Sequence, residues 1–221
     1  MPRLSSPDVI ARTLQAPLVP VFYHANAAYA QSVVRACYAG GIRVFEFTNR
    51  GAQAFEVFQE LAKLTETDCP DLVLGIGTIY NAADAERFMA AGAAFVVQPV
   101  TTADVAAACQ RHDVAWLPGA LTPNEIHAAT QLGAQLVKIF PGNFVGPDYI
   151  KSLRGPMPTT KLMVTGGVEP TEASLTEWFG AGVNVVGIGS QLFKGVGDPA
   201  EITARVAPLM AFLQKTFLQK I

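Results

Sequence analysis

Short apolar runs alternate with segments whose apolar residues recur every three or four positions, and this alternation continues along the whole chain. Strand-like runs fall at 18–23 (LVPVFY), 42–48 (IRVFEFT), 72–78 (LVLGIGT), 94–100 (AFVVQPV), 114–120 (VAWLPGA), 136–140 (LVKIF), 161–165 (KLMVT) and 184–189 (NVVGIG). Between them lie stretches with helical spacing, among them AAYAQSVVRACYA, DAERFMAA, PNEIHAATQL and PTEASLTEWFGA. Several helices close on glycine just before the next strand begins, as in AGGIRVFEF, AAGAAFVVQ, QLGAQLVKIF and GAGVNVVGI. Glycine supplies the left-handed residue that ends a helix. Asn81, Thr122-Pro123 and Glu169-Pro170 mark helix starts, with proline near the first turn.

Eight strand-then-helix units with nearly continuous apolar strands imply a parallel sheet buried on both faces. The count and the lack of an obvious edge strand predict an α/β fold, a (β/α)8 TIM barrel forming one domain over residues 1–221. The segments at 5–15 and 199–218 are read as an extra N-terminal and an extra C-terminal helix. An open doubly wound sheet is the competing arrangement.

Composition narrows the partners. Half the residues are hydrophobic and 15% are charged, which excludes a disordered chain. A net charge of −2 without a dense basic stripe gives no reason to expect nucleic acid. The apolar runs have strand length, so no membrane span is predicted. The N-terminal MPRLSSPDVIART has no apolar signal core and reads as a surface segment leading into a helix. Cys37, Cys69 and Cys109 are scattered and odd in number, as expected of buried thiols in a reducing cytoplasm rather than a disulfide or zinc site. His24, His112 and His127 have no metal-ligand spacing; the last two are expected at the surface, while His24 could reach a pocket beyond the first strand. GIGT does not extend into GxGxxG, the Walker lysine is missing, and no G-x-S-x-G turn is present. The expectation is a cytoplasmic protein that acts on a small molecule, with no metal and no cofactor.

In such a barrel, the chemistry sits at the C-terminal ends of the strands. Two-residue alternation puts Val44, Glu46 and Thr48 on one face and Phe45, Phe47 and Asn49 on the other. Glu46 is thus a carboxylate inside a strand, with Arg50 just beyond. It is either half of a buried pair that fixes packing or a general acid/base with Arg50 left to bind an anion. Leu136, Lys138 and Phe140 share a face, which points Lys138 into the barrel. Desolvation and a nearby cation favour a lysine's neutral amine, and a neutral amine can attack a ketone to form a Schiff base. In GIGTIYN, Gly75 and Gly77 either admit a ligand to the backbone, with Thr78 offering a hydroxyl, or simply serve as barrel-corner glycines. TGGV (165–168) and GIGS (187–190) follow the last two strands, where Gly-rich turns form a phosphate cradle; tight-turn glycines are the alternative.

The ordered set VPVF, FEFTNR, GIGT, QPV, LPG, VKIFPG, TGG and GIGS, spanning residues 17–193, resembles the 2-keto-3-deoxy-6-phosphogluconate aldolases. That family also includes 4-hydroxy-2-oxoglutarate aldolases and 6-phosphogalactonate enzymes. The resemblance implies a class I aldolase, a metal-independent lyase on a barrel, usually a homotrimer. It would cleave 2-keto-3-deoxy-6-phosphogluconate to pyruvate and glyceraldehyde 3-phosphate through a lysine Schiff base, an Entner–Doudoroff reaction. Lys138 falls on the family's Schiff-base lysine and Glu46 on its proton shuttle. Arg50 and Thr78 would hold the pyruvoyl carboxylate, with Pro99 packed near the Schiff base. Gly166, Gly167, Gly189 and Ser190 fall on the phosphate-binding positions. The chain departs from the gluconate pattern at Asn49, at Val164 and in QPV, and NFVGPDYIKSLRGPMP resembles the galactonate-type branch. Cleavage of the galactonate epimer or of 4-hydroxy-2-oxoglutarate is therefore an alternative. A sugar-phosphate isomerase or epimerase and a non-catalytic sugar-phosphate binder are others.

Overall fold

The computed structural model describes residues 4–218. Met1–Arg3, which open the expected surface segment, and residues 219–221, which end the expected domain, lie outside the described residues. A single parallel sheet is built from β1 (Leu18–Phe22), β2 (Val44–Thr48), β3 (Val73–Gly77), β4 (Phe95–Val97), β5 (Ala115–Leu117), β6 (Gly119–Ala120), β7 (Val137–Ile139), β8 (Leu162–Thr165) and β9 (Val185–Ile188). Its order is β5-β4-β3-β2-β1-β9-β8-β7-β6.

β5 and β6 are the two halves of the expected strand at 114–120, divided at Pro118. Proline has no N–H to give to a ladder, so regular pairing stops there. Its carbonyl still accepts from Lys138 N–H at 2.8 Å. β5 pairs with β4 and β6 with β7, so the covalent link through Pro118 joins the two ends of the sheet. The result is a (β/α)8 barrel with eight staves, one of them broken. The open-sheet alternative falls, because its two edges are neighbours along the chain.

The helices are α1 (Ser6–Gln15), α2 (Ala27–Ala39), α3 (Ala54–Thr67), α4 (Ala82–Ala90), α5 (Ala103–Arg111), α6 (Pro123–Gln131), α7 (Gly146–Leu153), α8 (Glu172–Gly180), α9 (Ser190–Phe193) and α10 (Pro199–Leu213). Their ends follow the local chemistry. Asn81 accepts from Asp84 N–H at 2.8 Å to start α4. Thr122 and Glu125 form a reciprocal capping box at α6, with Pro123 in the first turn. Gly41, Gly92, Gly133 and Gly182, which follow α2, α4, α6 and α8, all have φ between +91° and +106°. These are the glycines expected to end those helices. One start differs: α8 is capped by Thr171, not by Glu169-Pro170. The Ser174 hydroxyl accepts from Glu169 N–H, and the Glu169 carbonyl from Thr171 N–H, so those residues form a turn ahead of the helix.

Apolar side chains fill both the barrel interior and the shell between strands and helices. Phe58, Phe88 and Phe95 are buried, and Phe88 packs edge-on against both Phe55 and Phe58. α1 packs by β5, while α10 runs along α2 and α8. No helix among the described residues is long and apolar enough to cross a membrane.

Candidate active site

The structure brings Glu46 on the second stave and Lys138 on the sixth together across the barrel. Lys138 Nζ lies 3.4 Å from both Oε1 and Oε2 of Glu46, and the two residues are 5% and 1% exposed. Glycine makes the space they use. A Cβ at Gly77 would collide with the Glu46 carboxylate, and Gly119 stands opposite Lys138 in the β6–β7 register. The Phe140 ring lies 5.5 Å from Nζ. Burying two charges costs several kcal/mol per ion, and an apolar pair in their place is often as stable or more so. Such a pair is a poor device for packing alone, which favours the functional reading of Glu46 over the structural one.

Arg50 and Thr78 lie together at adjoining strand ends. Asn49 N–H donates to the Gly77 carbonyl at 2.8 Å, which extends the β2–β3 ladder and sets the two residues side by side. Arg50 Nε then donates to Thr78 Oγ1 at 3.4 Å. Thr78 has φ +62°, an outlier for a β-branched residue and a strain of roughly 1–3 kcal/mol. Strain of this kind concentrates where a side chain must be aimed.

Pro99 follows β4 beside the broken stave. Gln98, just before it, is fully buried, and its carbonyl accepts from Trp116 Nε1–H at 2.8 Å while its amide donates to Thr102 Oγ1 at 3.1 Å. Any Cβ at Gly119 would strike the Pro99 backbone, so glycine there lets the end of β4 close on the stave that faces Lys138. At the end of β8, the Thr165 hydroxyl is buried with no hydrogen-bond partner among the described residues.

A cleft of about 830 Å³ opens beside Arg50 and is lined by Tyr23, Glu169, Ser190, Phe193 and Lys194 among others. Ser190 therefore shares a cavity with Arg50. Gly166 and Gly167 form the turn after β8 with φ +93° and +77°, and a Cβ at Gly167 would press on Asn143. Their backbone alone demands glycine. Gly189 has an ordinary φ of −90° and directly precedes Ser190.

His24 does not itself line this cleft, although its ring stacks on that of Phe22, which does. Its Nδ1 accepts from Asn26 N–H at 3.1 Å and its ring sits 4.5 Å from that of Tyr29, at the start of α2. His112 and His127 are exposed, as expected. Among the described residues, no group of three or more His, Cys, Asp or Glu could hold a metal ion. Sequence reasoning missed Tyr23, Gln98, Glu169 and Lys194. Each lies within a few residues of a strand end, the signal that could have drawn attention to it.

Fold and site together describe a parallel (β/α)8 barrel with an amine and a carboxylate paired inside it. The family model described as KDPG and KHG aldolase matches residues 9–204, and the chain belongs to that family. It is 35% identical over 170 residues to a 2-dehydro-3-deoxy-phosphogluconate aldolase of Pseudoalteromonas atlantica, covering 76% of each chain. The 2-keto-3-deoxy-6-phosphogluconate aldolase of Zymomonas mobilis, solved with 3-phosphoglycerate, is similar at a TM-score of 0.83 and 30% identity, covering 94% of this chain and 97% of that one. A KDPG aldolase of Legionella pneumophila, in which pyruvate was captured as a covalent carbinolamine, matches at a TM-score of 0.80 and 26% identity, covering 89% and 96%.

Proposed function

We propose that this chain, acting as one domain, cleaves 2-keto-3-deoxy-6-phosphogluconate to pyruvate and glyceraldehyde 3-phosphate, with Lys138 as nucleophile and Glu46 as proton shuttle. The observation that carries this reading is the buried amine set equally close to both oxygens of a buried carboxylate. Family membership supports the reaction class.

The proposed steps use that pair. Glu46 takes a proton from the Lys138 ammonium, the freed amine adds to the C2 ketone, and Glu46 then returns the proton needed for the carbinolamine to lose water as an iminium. Glu46, directly or through a water, then takes the C4 hydroxyl proton. The C3–C4 bond breaks, its electron pair enters the iminium to give an enamine, and the aldehyde leaves. Protonation of the enamine at C3, helped by Glu46, gives the pyruvate imine, and water releases pyruvate and restores the amine.

Arg50 and Thr78 hold the substrate carboxylate beside Lys138, and Pro99 packs against the imine. The phosphate lies toward Ser190, where the backbone of Gly166, Gly167 and Gly189 and the serine hydroxyl supply donors. Nothing in these steps calls for a metal or cofactor. The resemblance that suggests the reaction also suggests a cytoplasmic homotrimer working in the Entner–Doudoroff route.

A pyruvate-release assay across the gluconate and galactonate epimers and 4-hydroxy-2-oxoglutarate tests the reading. Release from the gluconate epimer with the highest kcat/KM is the expected result. Preference for another of these acids would reassign the substrate, and no release from any would refute cleavage.

A further inference from the structure

The cleft beside Arg50 has charges that the cleavage steps leave unused. Two cations line it, Arg50 and Lys194, together with one carboxylate, Glu169. Neither Lys194 nor Glu169 has a side-chain ion-pair partner among the described residues. Glu169 is fixed by its backbone, since its N–H donates to Ser174 Oγ and its carbonyl accepts from Thr171 N–H. Its carboxylate has no hydrogen-bond or ion-pair partner among the described residues, and the residue lines the cavity. Lys194 sits one helical turn past Ser190, immediately after the short α9.

A surface meant only for a phosphate would gain nothing from a carboxylate, because like charges within it oppose binding. A surface meant for a hydroxyl-bearing chain that ends in phosphate has a use for both signs. A carboxylate accepts hydrogen bonds from sugar hydroxyls, and an ammonium pairs with the terminal dianion as a mobile point charge. We infer that Lys194 and Glu169 form an outer subsite that selects a polyhydroxy aldehyde ending in phosphate, with Lys194 on the phosphate and Glu169 on a hydroxyl. This rests on the assignment of the cleft to the phosphate end of the substrate. It adds two specificity-determining residues outside the Gly-rich turns, and neither takes part in bond making or breaking.

The test runs the reaction in the direction of aldol addition, with pyruvate and three acceptors: D-glyceraldehyde 3-phosphate, D-glyceraldehyde and propanal. Lys194→Ala should lower the preference in kcat/KM for the phosphorylated over the unphosphorylated glyceraldehyde by on the order of tenfold. The change should appear mainly in KM. Lys194→Arg should restore most of the preference, and rising salt should erode it in the wild type more than in Lys194→Ala. Glu169→Ala should lower the preference for D-glyceraldehyde over propanal several-fold. In each variant, pyruvate alone should still form its imine at the wild-type rate, which shows an intact barrel.

If both ratios stay at their wild-type values while the imine still forms, the subsite does not exist. A wild type that forms the imine but shows no preference for the phosphorylated acceptor would instead overturn the placing of phosphate in this cleft, and the inference with it.

Discussion

At the scale of single residues, Lys138 and Glu46 each depend on the other for charge compensation, since no other ion pair involves either among the described residues. Replacing Glu46 by Gln keeps the shape and removes the proton shuttle. Steady-state kinetics of Glu46→Gln should show kcat reduced by roughly a hundredfold or more. A variant that turns over like the wild type would make Glu46 a packing residue. Gly77→Ala gives a second prediction, because the new methyl would occupy the space of the Glu46 carboxylate. It should lower kcat with a smaller effect on folding, read by comparing turnover with thermal melting.

The direction of both charged side chains was legible in the sequence, because alternation within VFEFT and LVKIF sets it without knowledge of the rest of the chain. The need for glycine at 77 was not. That requirement exists only once β2 and β3 are in register and Glu46 points inward. The Gln98 amide was hidden for the same reason: its partner Trp116 is on the neighbouring strand, and nothing local announces the pairing.

At the scale of elements, the starts and ends of helices were the most readable features, since capping depends on three or four adjacent residues. The capping box of α6 can be tested directly. Glu125 Oε2 accepts from the N–H groups of Leu121 and Thr122 and from the Thr122 hydroxyl, and these bonds hold its carboxyl below the usual range. Thr122→Ala should cost about 1 kcal/mol of stability in denaturant titration.

The pH dependence follows from the direction of the Glu125 shift. A folded-state value below the unfolded one contributes stability that is fully present above the unfolded pKa and is lost as pH falls through the folded one. The stability gap between wild type and Glu125→Gln should therefore be constant near neutrality and close as the pH falls below the ordinary glutamate range. A gap that widens in acid would contradict this. Two element boundaries were not legible. The break at Pro118 needed knowledge that the stave is shared between two ladders, and the late start of α8 needed the side chain of Ser174.

At the scale of the whole molecule, the barrel separates what holds it together from what it does. Phe88 of α4 packs edge-on against Phe55 and Phe58 of α3, whereas Glu46 and Lys138 are carried by strands. Phe88→Ala should cost about 3–5 kcal/mol through the cavity it leaves, yet kcat per folded molecule should stay near the wild-type value. A large loss of kcat at a temperature where the variant is folded would show that core and site are coupled. The strand-then-helix rhythm made the barrel readable before any contact was known. The cleft at its mouth was less so, because it is assembled from the ends of β1, β2, β8 and β9, which are far apart in sequence.

The central claim is that Lys138 forms a covalent imine, and borohydride reduction in the presence of pyruvate tests it most directly. Hydride delivered to the imine carbon makes the adduct permanent, and peptide mass spectrometry locates it. The account predicts one reduced pyruvate adduct per chain, on the peptide containing Lys138, and none in Lys138→Ala. A wild type that gains no adduct, or a Lys138→Ala variant that still gains one, would contradict it.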